Sequence, residues 1–214
     1  MRSEIVARMR GIYVIVDPDH TAGRDVIDVA KTVYSAGAST VQLRNKSAGK
    51  RGLVEQAREI QRIAHETGKI FIVNDHADVA RIADSDGLHV GQKDLRVTDC
   101  RAILDDRQLI GTSNALLEEA LESQNDGADY IAVGAMFSTD TKLDTRPAGV
   151  ETLALVREAV DIHLVAIGGI NSANIETVVK GGADSICVAS AITKSDDMER
   201  ATSELVELFE RFSA

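Results

Sequence analysis

The stretch Ile70-Phe71-Ile72-Val73-Asn74-Asp75-His76 carries four apolar residues straight into an amide, a carboxylate and an imidazole. An unbroken apolar run of this kind predicts a strand buried on both faces, as in a parallel sheet, because a half-exposed strand would alternate with polar residues. The abrupt polar ending has two readings. Asn74 or Asp75 caps the following helix, or the strand delivers functional groups to a site beyond its C-terminal end. Recurrence along the chain separates the two.

Similar runs recur at Ile12–Val16, Thr40–Leu43, Gly87–Val90, Leu109–Gly111, Tyr130–Val133, Leu164–Ile167 and Ser185–Val188, which with Ile70–Val73 makes eight candidate strands. Between most of them apolar residues fall at helical spacing, as in Val26, Ile27, Ala30, Val33 and Tyr34, or Leu53, Ala57, Ile60 and Ala64. Strands alternating with helices predict βα units. Eight units in 214 residues predict one α/β domain over residues 1–214, a (β/α)8 TIM barrel with parallel strands, more than an open doubly wound sheet. Several strands are entered through similar punctuation: Ala36-Gly37-Ala38-Ser39, Asp126-Gly127-Ala128-Asp129 and Gly181-Gly182-Ala183-Asp184. A glycine leaving a helix in the left-handed conformation and turning straight into a strand explains all three. The segment His76 to Ser85 has room for a short helix only, the loop Ser138 to Gly149 is long, and the first ten residues read as a loosely packed arm.

Composition narrows the function. Aromatic residues make up 3% of the chain and Trp is absent, so the core is aliphatic, which suits layered barrel packing and not a base-stacking module. The net charge of -10 argues against nucleic acid or an anionic membrane as the main partner, so an anionic substrate has to be attracted locally. Cys100 and Cys187 are too few for a disulfide framework and lack metal-ligand spacing, which suits packing thiols in a reducing cytosol. No run approaches the roughly 20 apolar residues of a membrane span, and a soluble cytoplasmic protein is expected. A homo-oligomer remains open.

The polar endings do recur. The expected strands stop on Gln42-Leu43-Arg44-Asn45-Lys46, Asn74-Asp75-His76, His89-Val90-Gly91-Gln92-Lys93-Asp94, Gly111-Thr112-Ser113-Asn114, Ser138-Thr139-Asp140-Thr141-Lys142, Gly168-Gly169-Ile170-Asn171 and Ala189-Ser190-Ala191. Capping alone explains this gathering poorly, because the loops after the C-terminal strand ends are where barrels place their chemistry. Gly168-Gly169 before a helix expected near Asn171, with Ala189-Ser190 after the last strand, matches the phosphate cradle that barrels build there. Arg44, Lys46 and Lys142 together with Asp75 and Asp94 suggest a magnesium–diphosphate site, since hard Mg²⁺ prefers carboxylate, water and phosphate oxygens. The residues alone reach as far as a two-phosphate ligand and metal-assisted transfer. A solvated network of weak ion pairs is the competing reading.

On these fragments the chain resembles the thiamine-phosphate synthase family from Tyr13 through Ile192. The likeness is carried by Val41-Gln42-Leu43-Arg44-Asn45-Lys46, Asn74-Asp75, His89 to Asp94, Gly111-Thr112-Ser113, Thr139-Asp140-Thr141-Lys142 and Ala166 to Ile170. The resemblance implies that Gln42, Arg44, Lys46, Asn74, Ser113 and Lys142 bind the pyrimidine diphosphate, with Arg44, Lys46, Ser113 and Lys142 acting in catalysis. It implies that Asp75 and Asp94 hold Mg²⁺, and that Thr139, Thr141, Gly169 and the backbone of Ala189 and Ser190 take the thiazole phosphate. Leu43, Asn45 and Asp140 count among the substrate-contacting positions. His76 is expected to start a helix and His89 to pack beside the metal loop.

Departures from the family pattern fall at Asn114 and Ala115, where a histidine is common, at Ala135 and Ser138, where prolines are common, and at His76, where arginine is frequent. They touch loop rigidity and turnover more than the reaction. Two rivals remain: a thiazole tautomerase-like barrel, and a non-catalytic thiazole-phosphate-binding barrel.

Overall fold

The computed structural model describes residues 2–138 and 146–213. Gly11–Val16 (β1), Thr40–Leu43 (β2), Ile70–Asn74 (β3), Gly87–Val90 (β4), Leu109–Asn114 (β5), Tyr130–Val133 (β6), His163–Ile167 (β7) and Ser185–Val188 (β8) pair in chain order, and β8 returns to β1. Every pairing is parallel, so the barrel is closed and has no edge. The helices are α1 (Arg2–Arg8), α2 (Val26–Ser35), α3 (Lys50–Thr67), α4 (Ala77–Ala83), α5 (Val97–Ile103), α6 (Leu117–Asn125), α7 (Gly149–Ala159), α8 (Ile175–Lys180), α9 (Ser190–Thr193) and α10 (Met198–Phe212). The fold is the (β/α)8 TIM barrel expected from the alternation. Among the described residues no helix is long and apolar enough to cross a membrane.

The two-residue period of the strands divides the core into two layers. Tyr13, Ile70, Ile72, Leu109, Tyr130, Ala132, Val165 and Cys187 form a cluster inside the barrel. Their neighbours Val14, Val41, Leu43, Phe71, Val73, Ile131 and Ala166 pack outward against Leu53, Ala57 and Ile60 of α3 and against the other helices. That double burial is why the strands read as unbroken apolar runs. One strand is longer than its apolar run: β5 continues from Gly111 to Asn114, because Thr112, Ser113 and Asn114 stay in register with Ile131, Ala132 and Val133. Ser113 is thus held by sheet pairing and not by a loop.

The bottom of the barrel explains the repeated punctuation. Gly37, Gly127 and Gly182 all have positive φ, as the left-handed helix exit requires. The aspartate two residues after Gly127 and Gly182 does further work on the preceding strand. Asp129 accepts from the Ile110 N–H at 2.8 Å and Asp184 from the Leu164 N–H at 2.9 Å, while Asp86 accepts from the Phe71 N–H at 2.9 Å. Arg101 pairs with Asp129, and Arg157 with Asp184 at 3.0 Å. Asp129 and Asp184 therefore each tie a strand start to a helix through charge-assisted hydrogen bonds.

Residues 2–9 close this end, where a loose arm was expected. Met9 is fully buried in the interior cluster, with Ile5 and Val6 packed against it. The Ser39 and Ser185 hydroxyls both donate to the Met9 carbonyl at 2.7 Å. Because Ser185 uses its hydrogen there, it accepts from His163 Nε2 at 2.8 Å. Burial pushes His163 down to about 4, with the Arg10 and Arg157 charges acting the same way and Asp184 opposing them.

Two expectations follow. Asp129→Ala strands Arg101 and the Ile110 N–H in a half-buried place and should destabilise the fold by about 2–3 kcal/mol in urea titration, while Asp129→Asn, which keeps an acceptor, should cost less. For His163 the folded pKa lies below the unfolded one, so its contribution is complete above about pH 6.5 and is lost as pH falls towards 4. Stability measured from pH 7 to 4 should therefore fall less steeply in His163→Gln than in the parent, by on the order of 2 kcal/mol; parallel profiles would contradict this.

Candidate active site

The opposite, C-terminal ends of the strands surround a cavity of about 860 Å³. Strand parity decides which residues reach it. In the run that begins at Gln42, Gln42 and Arg44 face the barrel axis, whereas Leu43 joins the helix-facing core. Asn45 is buried under its own loop, its Oδ1 accepting from Ser47 N at 3.2 Å and Ala48 N at 3.0 Å and its Nδ2 donating to Gln56 at 3.0 Å. Arg44 and Lys46 line the cavity, while Gln42 lies below its floor, donating to the Tyr13 hydroxyl at 2.6 Å. Leu43 and Asn45, expected among the substrate-contacting positions, do not line the cavity: Leu43 belongs to the helix-facing core and Asn45 holds its own loop.

Arg44 meets a partner that the strand-end reading did not include. Its guanidinium is paired with Asp17, the residue that follows β1, whose side chain is only 3% exposed. Asp17 also accepts from Asp19 N at 3.1 Å and so caps the 3-10 turn Pro18–His20. That turn is clamped to the segment after the neighbouring strand β8, since Thr193 Oγ1 donates to the His20 carbonyl at 2.6 Å and Arg24 donates to the Thr193 and Ser195 carbonyls at 3.1 and 2.9 Å.

Asn74, Asp75 and Asp94 converge on the neighbouring sector. Asp75 is held at φ 61 with its N–H on the His89 carbonyl at 2.8 Å, a left-handed conformation that costs a non-glycine residue of order 1 kcal/mol. His76, the N-cap of α4, follows directly. Asp94 accepts from the Gly91 N–H at 2.8 Å, and its carboxylate lies near enough to Asp75 for their charges to interact. Burial first, then the Asp94 carboxylate, hold Asp75 above the usual carboxylate range, with Lys46 and Asn74 opposing. Among the described residues no group of three or more His, Cys, Asp or Glu side chains forms a protein-only metal cage. Two facing carboxylates fit Mg²⁺, which keeps several waters and takes its remaining ligands from substrate phosphates.

Ser113 lines the next sector, its Oγ 2.8 Å from His89 Nε2. His89 is thus packed as expected, but in contact with the serine. Asn114, at one of the departures, binds inward to its own strand through Thr112 and accepts from Gln92 at 3.1 Å and Ser123 at 3.0 Å. The far sector is built by Gly168, Gly169, Ala189 and Ser190. Gly169 has φ 68, and a Cβ there would stand 2.6 Å from the Ser138 carbonyl, so glycine lets two top loops pack together. The helix expected near Asn171 begins at Ile175, after a turn in which Asn174 accepts from the Asn171 N–H at 2.9 Å. Thr139, Asp140, Thr141 and Lys142 lie outside the described residues. Arg146, just after them, is pinned by Glu119 at 2.6 and 2.8 Å. Cys187 reaches the cavity from β8, and burial raises its thiol and that of Cys100 above the ordinary value, so neither is an activated nucleophile.

Comparison with known proteins places this arrangement. A family model described as thiamine monophosphate synthase matches residues 12–192. The chain belongs to the thiamine-phosphate synthase family. It is 40% identical over 203 residues to the thiamine-phosphate synthase of Shouchella clausii, covering 94% of this chain and 97% of that protein. It is 42% identical over 195 residues to the thiamine-phosphate synthase of Chloroflexus aurantiacus, covering 91% and 90%. The solved thiamine phosphate pyrophosphorylase from Pyrococcus furiosus superposes with a TM-score of 0.90 at 34% identity, covering 97% of this chain and 98% of that one. As a member of the thiamine-phosphate synthase family, the chain is a transferase of thiamine biosynthesis that acts on small molecules.

The Asp75–Asp94 pair yields a stability test. Asp75→Asn removes a half-buried charge that faces another carboxylate, and asparagine tolerates the left-handed conformation. Calorimetry should show Tm raised by roughly 1–3 °C after allowing for solvent screening. A lower Tm would show that the carboxylate stabilises the fold.

Proposed function

We propose that the chain transfers the 4-amino-2-methylpyrimidin-5-ylmethyl group from its diphosphate to a thiazole phosphate, releasing pyrophosphate, in the cytoplasm. The observation that carries this reading is the convergence of two facing carboxylates, Asp75 and Asp94, with Arg44 and Lys46 on one cavity rim of an otherwise acidic protein. Asp75 and Asp94 would hold Mg²⁺. The chemistry that ion supplies, when bound, is neutralisation of charge on the diphosphate oxygens.

The reaction proceeds by dissociation. The pyrimidine's carbon–oxygen bond breaks first, the positive charge spreads into the aminopyrimidine, and the thiazole nitrogen then attacks the carbon. No residue has to form a covalent intermediate. Arg44, Lys46 and Lys142 stabilise the departing diphosphate, Asn74 and Ser113 orient the pyrimidine from adjoining sectors, and Gly169, Ala189, Ser190, Thr139 and Thr141 hold the thiazole phosphate within reach of the reacting carbon. Gln42, lying beneath the floor, supports the pyrimidine site from below.

Purified protein given both substrates and Mg²⁺ should form thiamine phosphate and pyrophosphate. Asp94→Ala should retain its circular dichroism and lose at least roughly 10²-fold in magnesium-dependent pyrophosphate release, the usual scale for one preorganised electrostatic contact. Binding of thiazole phosphate without product would favour a sensor, and proton exchange on the thiazole without condensation would favour a tautomerase.

A further inference from the structure

Beneath the cavity floor, polar side chains from five strands meet inside the barrel. Gln42 Nε2 is 2.6 Å from the Tyr13 hydroxyl, the Tyr13 and Tyr130 hydroxyls are 3.2 Å apart, the Tyr130 hydroxyl is 3.1 Å from His89 Nδ1, and His89 Nε2 is 2.8 Å from Ser113 Oγ. All but Ser113 are buried. Tyr13 and Tyr130 reach each other across the barrel axis, and Gly111 makes the space: a Cβ there would lie 1.9 Å from Tyr130 Cζ. Aliphatic residues fill the rest of this interior, and polar groups persist in such a place only when each finds a partner.

The series has a direction. The Gln42 amide nitrogen can only donate, so the Tyr13 oxygen accepts and the Tyr13 hydrogen passes to the Tyr130 oxygen. The Tyr130 hydrogen then goes to His89 Nδ1, which must be unprotonated. A neutral ring bare at Nδ1 carries its hydrogen on Nε2 and donates it to Ser113 Oγ. The Ser113 hydrogen is left for the cavity. Burial raises both phenols above their ordinary value, so both remain hydroxyls.

We infer that Gln42, Tyr13, Tyr130 and His89 form a positioning relay that fixes the direction of the Ser113 hydroxyl, making it a donor to an acceptor atom of the bound substrate. The catalytic part of this inference rests on the function proposed above; the relay itself does not.

Nitrogen NMR of histidine-labelled protein without substrate reads the relay directly. The expected state of His89 is the Nε2–H tautomer, and Tyr13→Phe should shift it towards a mixture; Gln42→Met, which removes the fixed donor, should do the same should the first variant not fold. An Nδ1–H tautomer in the parent, or an unchanged His89 signal in the folded variant, overturns the relay. In turnover assays Tyr130→Phe should lower kcat roughly threefold to tenfold with KM little changed, and should cost nothing further in a Ser113→Ala background. Equal losses in both backgrounds would overturn action through Ser113. A parent with the expected tautomer that forms no thiamine phosphate would support the relay and refute the proposed reaction.

Discussion

Closure of the barrel is the constraint from which the rest follows. Once β8 returns to β1, alternate side chains of every strand have only the barrel axis to share, and their neighbours have only the helix layer. Composition then becomes position. Gln42 goes under the floor, Arg44 to the mouth, Leu43 to the helices, and Asn45 into its own loop, although the four are consecutive. An open sheet would impose the same alternation, but it would not bring Tyr13 of the first strand against Tyr130 of the sixth.

The cationic rim works by placement more than by quantity. Arg44 arrives already bonded to a nearly buried carboxylate, so part of its charge is cancelled before any ligand appears. What Asp17 contributes is orientation: a guanidinium has five donors in a fixed fork, and a partner that occupies one side leaves the others aimed into the cavity with less rotamer freedom to lose on binding. In a chain with net charge -10, the proposed diphosphate would be selected by a few fixed donors while the rest of the surface repels it.

The fold was legible because double burial writes itself as apolar runs, and eight runs with helical spacing between them leave few alternatives. The rim was legible wherever such a run stopped on a charged residue, as at Asp75 and Arg44. Asp17 meets the same criterion, following Val16 directly, but its role as the partner of Arg44 depends on the pairing of β1 with β2, which the run itself does not show. The hydrogen-bond series under the floor is different in kind. Its members are separated by up to 117 positions, as between Tyr13 and Tyr130, and sit within runs that read as core, so only three-dimensional closure shows that they touch. Strand parity, readable in the sequence, turns Leu43 away from the axis that Gln42 and Arg44 face.

Aspartate plays opposite parts at the two ends of the barrel. At the bottom, Asp129 and Asp184 face arginines and backbone amides, so ionisation is compensated and the carboxylates tie strands to helices. At the top, Asp75 sits in a left-handed backbone conformation and faces Asp94, an arrangement that folding alone would not favour. The stability that permits a pair of like charges at the mouth is supplied by paired charges and the Met9 plug at the other end. The separation matters because the two demands conflict: a carboxylate already satisfied by protein donors has little left to offer a cation, whereas one held against its neighbour is relieved when a cation comes between them.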